Sequence, residues 1–245
     1  MVASTATTTT VLQWHLLHLA SDPDGLQTLL QQEIAAVVGH ERPPSWQDRA
    51  LMPLTMATIW EMYRCKPPTP FGIPREAAED THFGKYFIAK GSVILPNFWL
   101  AHRNCSHWEK PYEFNPRRFL KPDSSAQVTR PNGLLAFSVG RAIGFLGTLR
   151  QGSYPIFGGT GDDDVEDWRS ASEHHFCVFC QMAESTKRKR MCAGESMGNS
   201  EVFLYVTSLL QKFRILLEEG CSFDINKTGI PASEVAGIKL RFIPR

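Results

Sequence analysis

A chain of 245 residues, 42% hydrophobic and 21% charged, can bury one large domain or two modest ones and is too apolar to stay wholly disordered. Its 26 basic and 25 acidic side chains leave a net charge of +1, which excludes a global field gathering nucleic acid or anionic membrane; such a partner would need a local patch. Six cysteines at irregular spacing exclude a disulfide-stapled miniprotein and read as free thiols in a reducing compartment.

Met1 to Ala20 is Thr-rich, carries no Lys or Arg and falls short of the roughly 20 apolar residues of a membrane span, so neither a signal peptide nor an anchor is expected there. From Thr5, the residues Val11, Leu12, Trp14, Leu16, Leu17 and Leu19 are apolar around most of a helix, which predicts a buried helix ending near Ser21. Asp22-Pro23 starts a second, in which Leu26, Leu29, Leu30, Ile34 and Val37 recur at helical spacing until Gly39. The connector 40–45 holds two prolines; Leu51 to Arg64 reads as a third helix, closed by Pro67, Pro68 and Pro70.

Between Arg75 and Leu100, Tyr86, Ile88, Val93, Ile94 and Leu95 predict short strands of one small sheet with a turn at Lys90-Gly91. Residues 108–137 have little periodicity and read as a long ordered loop. A last helix is expected from Gly194 to Leu217, with Val202, Val206, Leu209, Phe213 and Leu216 in one apolar stripe widened by Phe203 and Leu210, followed by a strand-like tail from Cys221. Residues 142–189 differ from everything around them and read as an atypical, irregular insert.

Glu61 and Arg64 share a helical face, acid first, a pairing that at a surface is worth only about 0.3–0.5 kcal/mol. Arg118, in Pro116-Arg117-Arg118-Phe119, offers a second guanidinium for the same carboxylate. Cys192 precedes the final helix, whose unpaired N–H groups, with the neighbouring Arg190, favour thiolate over thiol; a thiolate is a nucleophile or a metal ligand, whereas many cysteines beside helices are inert.

With residues 142–189 set aside, Phe137 runs into Cys192 as FSVGRRMCAGE, which resembles the heme-binding loop of the cytochrome P450 family, Phe-x-x-Gly-x-Arg-x-Cys-x-Gly. The junction can equally be placed at 141–188. Glu61 and Arg64 match the family's Glu-x-x-Arg, Arg118 the loop arginine that completes its triad, and Ala3 to Thr8 its oxygen-groove motif. The four motifs stand in the family's order, and the resemblance covers 1–141 and 190–245, closest to animal microsomal members.

The resemblance implies a mainly α fold with a small β-sheet, the C-terminal half of the cytochrome P450 fold, built from 1–141 and 190–245 as a partial heme-thiolate monooxygenase domain. It implies heme b as cofactor, with Cys192 as axial thiolate, Arg190 and Arg75 as propionate partners, Gly140 and Gly194 allowing close backbone approach, and Phe137 shielding the sulfur. Thr7 would steady dioxygen and its proton relay, while Glu61, Arg64 and Arg118 would be scaffold. The implied reaction is monooxygenation of an apolar organic substrate by dioxygen, with electrons from an NADPH-dependent flavoprotein reductase at the cytosolic face of the endoplasmic reticulum membrane. Membrane association is expected only through an N-terminal part that this chain lacks.

Ser4 and Ala6 stand where the family has glycine and an acid, which narrows the groove and removes the relay carboxylate. The compositional break at 142–189 is expected from a translated intron, and a non-catalytic, truncated or mis-spliced product that retains no heme is the alternative reading. Within the break, His174, His175, Cys177 and Cys180 fall too close together for the two separated ligand pairs of a structural zinc site, and Asp162–Asp164 read as a solvated turn. Gly158–Gly161 lack the lysine of a phosphate loop, and Lys187–Arg190, one basic run in a near-neutral chain, does not imply nucleic acid.

Overall fold

The first helix begins earlier than its apolar pattern does, with threonine hydroxyls bonded back to its own carbonyls. In the computed structural model, which describes residues 2–83, 85–121, 124–128, 130, 133–138, 192–226 and 237–245, helix α1 runs Val2–Ser21 rather than starting at Thr5. Thr7 Oγ1 donates to the Ala3 carbonyl at 2.7 Å and Thr10 Oγ1 to that of Ala6 at 2.9 Å. Burial begins at Val11 and continues through Trp14, Leu17 and Leu19, as the apolar pattern requires.

Helix α2 (Leu26–Val37) ends where expected but begins three residues after the Asp22-Pro23 start signal, which forms a turn. The Asp22 carboxylate accepts the N–H groups of Gly25 (3.1 Å) and Leu26 (2.7 Å), and a Cβ at Gly25 would lie only 2.4 Å from it, so glycine is required for the cap to close. Gly39, at φ +73°, ends the helix in the left-handed region. The third helix starts later than expected: Trp46–Leu51 form a 3-10 turn, closed by the Ser45–Asp48 capping box, and α3 runs Pro53–Cys65. Glu33 of α2 caps α3 directly, accepting the N–H groups of Leu54 and Thr55 at 2.8 Å each and the Thr55 hydroxyl at 2.6 Å. A single-helix reading cannot foresee a cap supplied by a different helix.

The expected small sheet is two separate antiparallel ribbons. Strand β1 (Arg75–Glu76) pairs with β4 (Val93–Ile94) around the inner hairpin of β2 (Thr81–Phe83) and β3 (Tyr86–Ile88), and Gly91, at φ +85°, sits in the expected turn. The loop expected at 108–137 contains a 3-10 turn, Pro116–Phe119, and a ribbon of β5 (Leu120–Lys121) with β6 (Ser124–Val128); the short α4 (Phe98–Ala101) precedes it. Elements of two to five residues show too few repeats for periodicity to register.

The final helix is shorter than the apolar stripe. Helix α5 spans Glu195–Lys212, and the chain then turns extended as β7 (Phe213–Leu217), antiparallel to β8 (Leu240–Pro244) in the tail. Phe213 and Leu216 therefore belong to a strand. Gln211 Nε2 ties α5 to the carbonyls of Gly39 and Arg42 (2.8 Å each), and two other glutamines account for the change: Gln31 Nε2 donates to the carbonyls of Leu210 (3.3 Å) and Phe213 (2.9 Å), and Gln27 bonds Ile215 in both directions at 2.8 Å and the Leu19 carbonyl at 2.7 Å. These side chains take backbone groups that a longer helix would have paired within itself.

The main core lies between α1, α2, α3 and α5, where Leu30, Ile34, Ile59, Phe203, Leu210 and the strand residue Ile215 are fully or nearly fully buried. No helix among the described residues is long and apolar enough to cross a membrane. Gln27→Leu should lower unfolding stability by about 2–4 kcal/mol in urea titrations, because it leaves the Ile215 N–H and two carbonyls buried without partners.

Candidate functional site

Two juxtapositions carry the chemistry. The first is built on the inward face of α3, where Glu61 and Arg64 have fully buried side chains. Arg64 Nε and Nη2 donate to the two Glu61 oxygens at 2.7 and 2.8 Å, a bidentate pair. Nη1 donates to the carbonyls of His102 (2.8 Å) and Pro111 (2.6 Å), and Nη2 also reaches that of Glu113 (3.0 Å), so every donor direction of the guanidinium is used.

Arg118 joins from the 3-10 turn, its Nε 3.1 Å from Glu61 Oε1, and its outer nitrogens hold the carbonyls of Glu109, Lys110 and Glu113. Asn115 N–H donates to the same Glu61 oxygen at 2.7 Å. The structure thus brings Glu61, Arg64 and Arg118 together around the loop that follows α4. Cys65 lies against the pair, with burial, then Glu61, pushing its thiol up to about 12, so it is not a nucleophile at neutral pH.

The second juxtaposition joins the residues flanking the 139–191 stretch. Cys192 N–H donates to the Phe137 carbonyl at 3.0 Å, and the Cys192 carbonyl accepts from Glu195 N–H at 3.2 Å, so the cysteine sits exposed at the mouth of α5. Phe137 stacks edge-on against Tyr63 of α3 at 5.0 Å between centroids. A Cβ at Gly198 would touch its ring at 3.6 Å. Ser138 takes a left-handed φ of +67°, its N–H bonded to the Leu135 carbonyl and its hydroxyl accepting from Arg75 Nη2 at 3.1 Å. Arg75 thereby reaches the Phe137 segment from β1.

Gly194 is the residue before α5, and a Cβ there would lie 3.8 Å from the Cys192 sulfur. Thr7 lies on α1, half-buried, with its hydroxyl held inside its own helix, and the next residue, Thr8, reaches Glu201 of α5 at 3.4 Å. Gly140, Arg190 and the whole of 142–189, including the His174–Cys180 and Asp162–Asp164 groups, lie outside the described residues.

Sequence reasoning missed four contributors. Arg130 pairs with Glu195 in the first turn of α5, donates to the Leu134 carbonyl at 3.1 Å and lies 5.9 Å from the Phe137 ring centroid. Tyr63 backs Phe137, and burial pushes its phenol up. His102 is fully buried, and its Nε2 accepts from Leu135 N–H at 2.9 Å. Glu195 alone had a readable signal, an acid in a helix's first turn; the others depend on neighbours distant in sequence.

Comparison with known proteins identifies the family. The family model described as Cytochrome P450 matches residues 1–143. Rat cytochrome P450 2U1 is 33% identical over 89% of this chain and 32% of its own length. Rat cytochrome P450 2J3 is 33% identical over 86% of this chain and 32% of its own. The channel catfish (Ictalurus punctatus) steroid 17-alpha-hydroxylase/17,20 lyase is 28% identical over 89% and 33%. The chain belongs to the cytochrome P450 family, and it spans about a third of the length of the relatives it matches.

Glu61→Ala strands a buried guanidinium and should cost about 3–5 kcal/mol in denaturant unfolding. Arg118→Ala, at a side chain 11% exposed, should cost clearly less in the same titration.

Acid should also destabilise the fold. Burial lowers His15 and His18 from 6.5 to about 4 and His102 to about 3. With folded values below the unfolded value, their contribution is complete above about pH 6.5 and is lost as pH falls toward the folded values, by up to about 1.4 kcal/mol per pH unit for each histidine. Urea midpoints measured from pH 7 to pH 4 should fall, and His102→Gln should flatten the slope.

Proposed function

We propose that this chain is the part of a heme-thiolate monooxygenase that holds heme b from its thiolate side, with Cys192 as axial ligand. The observation that supports this most directly is the Cys192 N–H to Phe137 carbonyl bond, which sets the two pieces of the loop pattern side by side despite the 139–191 stretch between them. The described residues fit the group. The Cys192 sulfur is a soft ligand on an exposed rim, Gly194 beside it has no side chain to block a flat macrocycle, and the Arg75 guanidinium stands across the Phe137–Ser138 segment.

When bound, heme supplies dioxygen activation, so that one oxygen atom enters an apolar organic substrate and the other leaves as water. The protein's own residues do the rest. Cys192 would ligate the iron and supply electron density to it, and Phe137, propped by Tyr63, would shield the sulfur once the group covers that exposed rim. Arg75 and Arg190 would hold the propionates, and Gly140 and Gly194 would permit close approach of the backbone. Thr7 holds a proton at Oγ1 while bonded to the Ala3 carbonyl; with Ala6 beside it in place of an acid, the hydroxyl has no adjacent carboxylate for its relay.

Electrons would come from an NADPH-dependent flavoprotein reductase at the cytosolic face of the endoplasmic reticulum membrane, and residues 142–189 would be an insert outside the heme-thiolate unit. Ala6, in place of the relay acid, supports a second reading, a non-catalytic product that retains no heme.

Expression with heme supplied, reduction and addition of carbon monoxide should give the red-shifted Soret band of thiolate ligation, and Cys192→Ala should abolish it. No such band from the folded chain would overturn the heme assignment in favour of the second reading.

A further inference from the structure

The two juxtapositions of the candidate site are not independent, and one imidazole stands between them. His102 is the residue just after α4. Its carbonyl accepts from Arg64 Nη1 at 2.8 Å, and its Nε2 accepts from Leu135 N–H at 2.9 Å. The Leu135 carbonyl in turn accepts from Ser138 N–H at 2.9 Å, which closes the turn that aims the Phe137 carbonyl at Cys192 N–H.

A backbone N–H can only donate, so Nε2 must be unprotonated and the ring proton must sit on Nδ1. That Nδ1 is buried and faces the backbone of Arg64, at the longer end of hydrogen-bond reach. Trp108 packs edge-on to the imidazole, and its own ring lies 5.4 Å from the Arg64 guanidinium carbon, which fixes the plane of the ring.

We propose that His102 is a positioning residue for the thiolate loop: its neutral imidazole transmits the fixed geometry of the Glu61–Arg64 pair to Leu135 and so sets where Cys192 is held. The assignment rests on the reading of Cys192 as the functional sulfur, but its test does not need heme. Burial keeps the imidazole uncharged down to about pH 3, so the acceptor is present wherever the protein is folded near neutrality.

Amide hydrogen exchange of the whole chain, read without heme, separates positioning from bulk stability. His102→Phe preserves ring volume and removes the acceptor; it should accelerate exchange at Leu135 and Cys192 at least tenfold while Phe203 and Val206 of α5 stay unchanged. His102→Gln, which places an amide oxygen near the Nε2 position, should restore protection at both amides. Unchanged exchange at Leu135 and Cys192, equal acceleration across α5, or no rescue by glutamine would overturn the proposal.

Should the phenylalanine variant not fold, nitrogen NMR of the wild-type imidazole decides the question. A protonated Nδ1 with Nε2 unprotonated supports the tie, and a protonated Nε2 overturns it. Loss of the carbon monoxide band in wild-type protein would sink the heme reading and leave this measurement standing.

Discussion

A guanidinium with no access to water is the constraint around which the site is organised. Removing an ion from solvent costs several kcal/mol even after relaxation, and arginine cannot shed its proton to escape that cost. Arg64 must therefore be given acceptors on all sides. Glu61 supplies two, and the remainder come from carbonyls at 102, 111 and 113, residues of a segment with little regular structure. Such a segment acquires one shape because each of those carbonyls has a single place to go. Arg118 and Asn115 extend the same logic from the opposite side of the Glu61 carboxylate.

Phe137, Ser138 and Cys192 take their positions from that rigid segment and from the first turn of α5. Cys192 is held through its backbone, by Phe137 before it in sequence and by the first turn of α5 after it, and the residue is exposed. Arg130 adds a tether, pairing with the acid in the first turn of α5 and passing over the Phe137 ring, so helix and loop cannot separate without breaking an ion pair. The core glutamines act comparably at the far end of α5, where they consume backbone groups and turn the helix into β7.

Much of the frame was legible from local pattern. The end of α2 follows from Gly39, the burial of α1 from its run of large apolar residues, and the turn at Gly91 from its need for positive φ. The errors fall where a distant partner decides. The apolar stripe from Val202 runs on to Leu216, and periodicity has no means of registering that Gln27 and Gln31 would claim the backbone at 210–215. Likewise α3 begins at Pro53 because Glu33 of another helix waits to cap it.

The sequence by itself determined the chemistry on offer and the family: a cysteine before a helix, an acid and an arginine three apart, a second arginine in a proline-bounded loop, in a fixed order along the chain. Those are statements about residue types and short spacings, which the covalent chain holds without folding. Only the tertiary structure decided that Arg64 is sealed from water, that Phe137 and Cys192 meet across the 139–191 stretch, and that His102 stands between the two groups. Burial and long-range hydrogen bonds are properties of neighbours remote in sequence, and no local pattern encodes them.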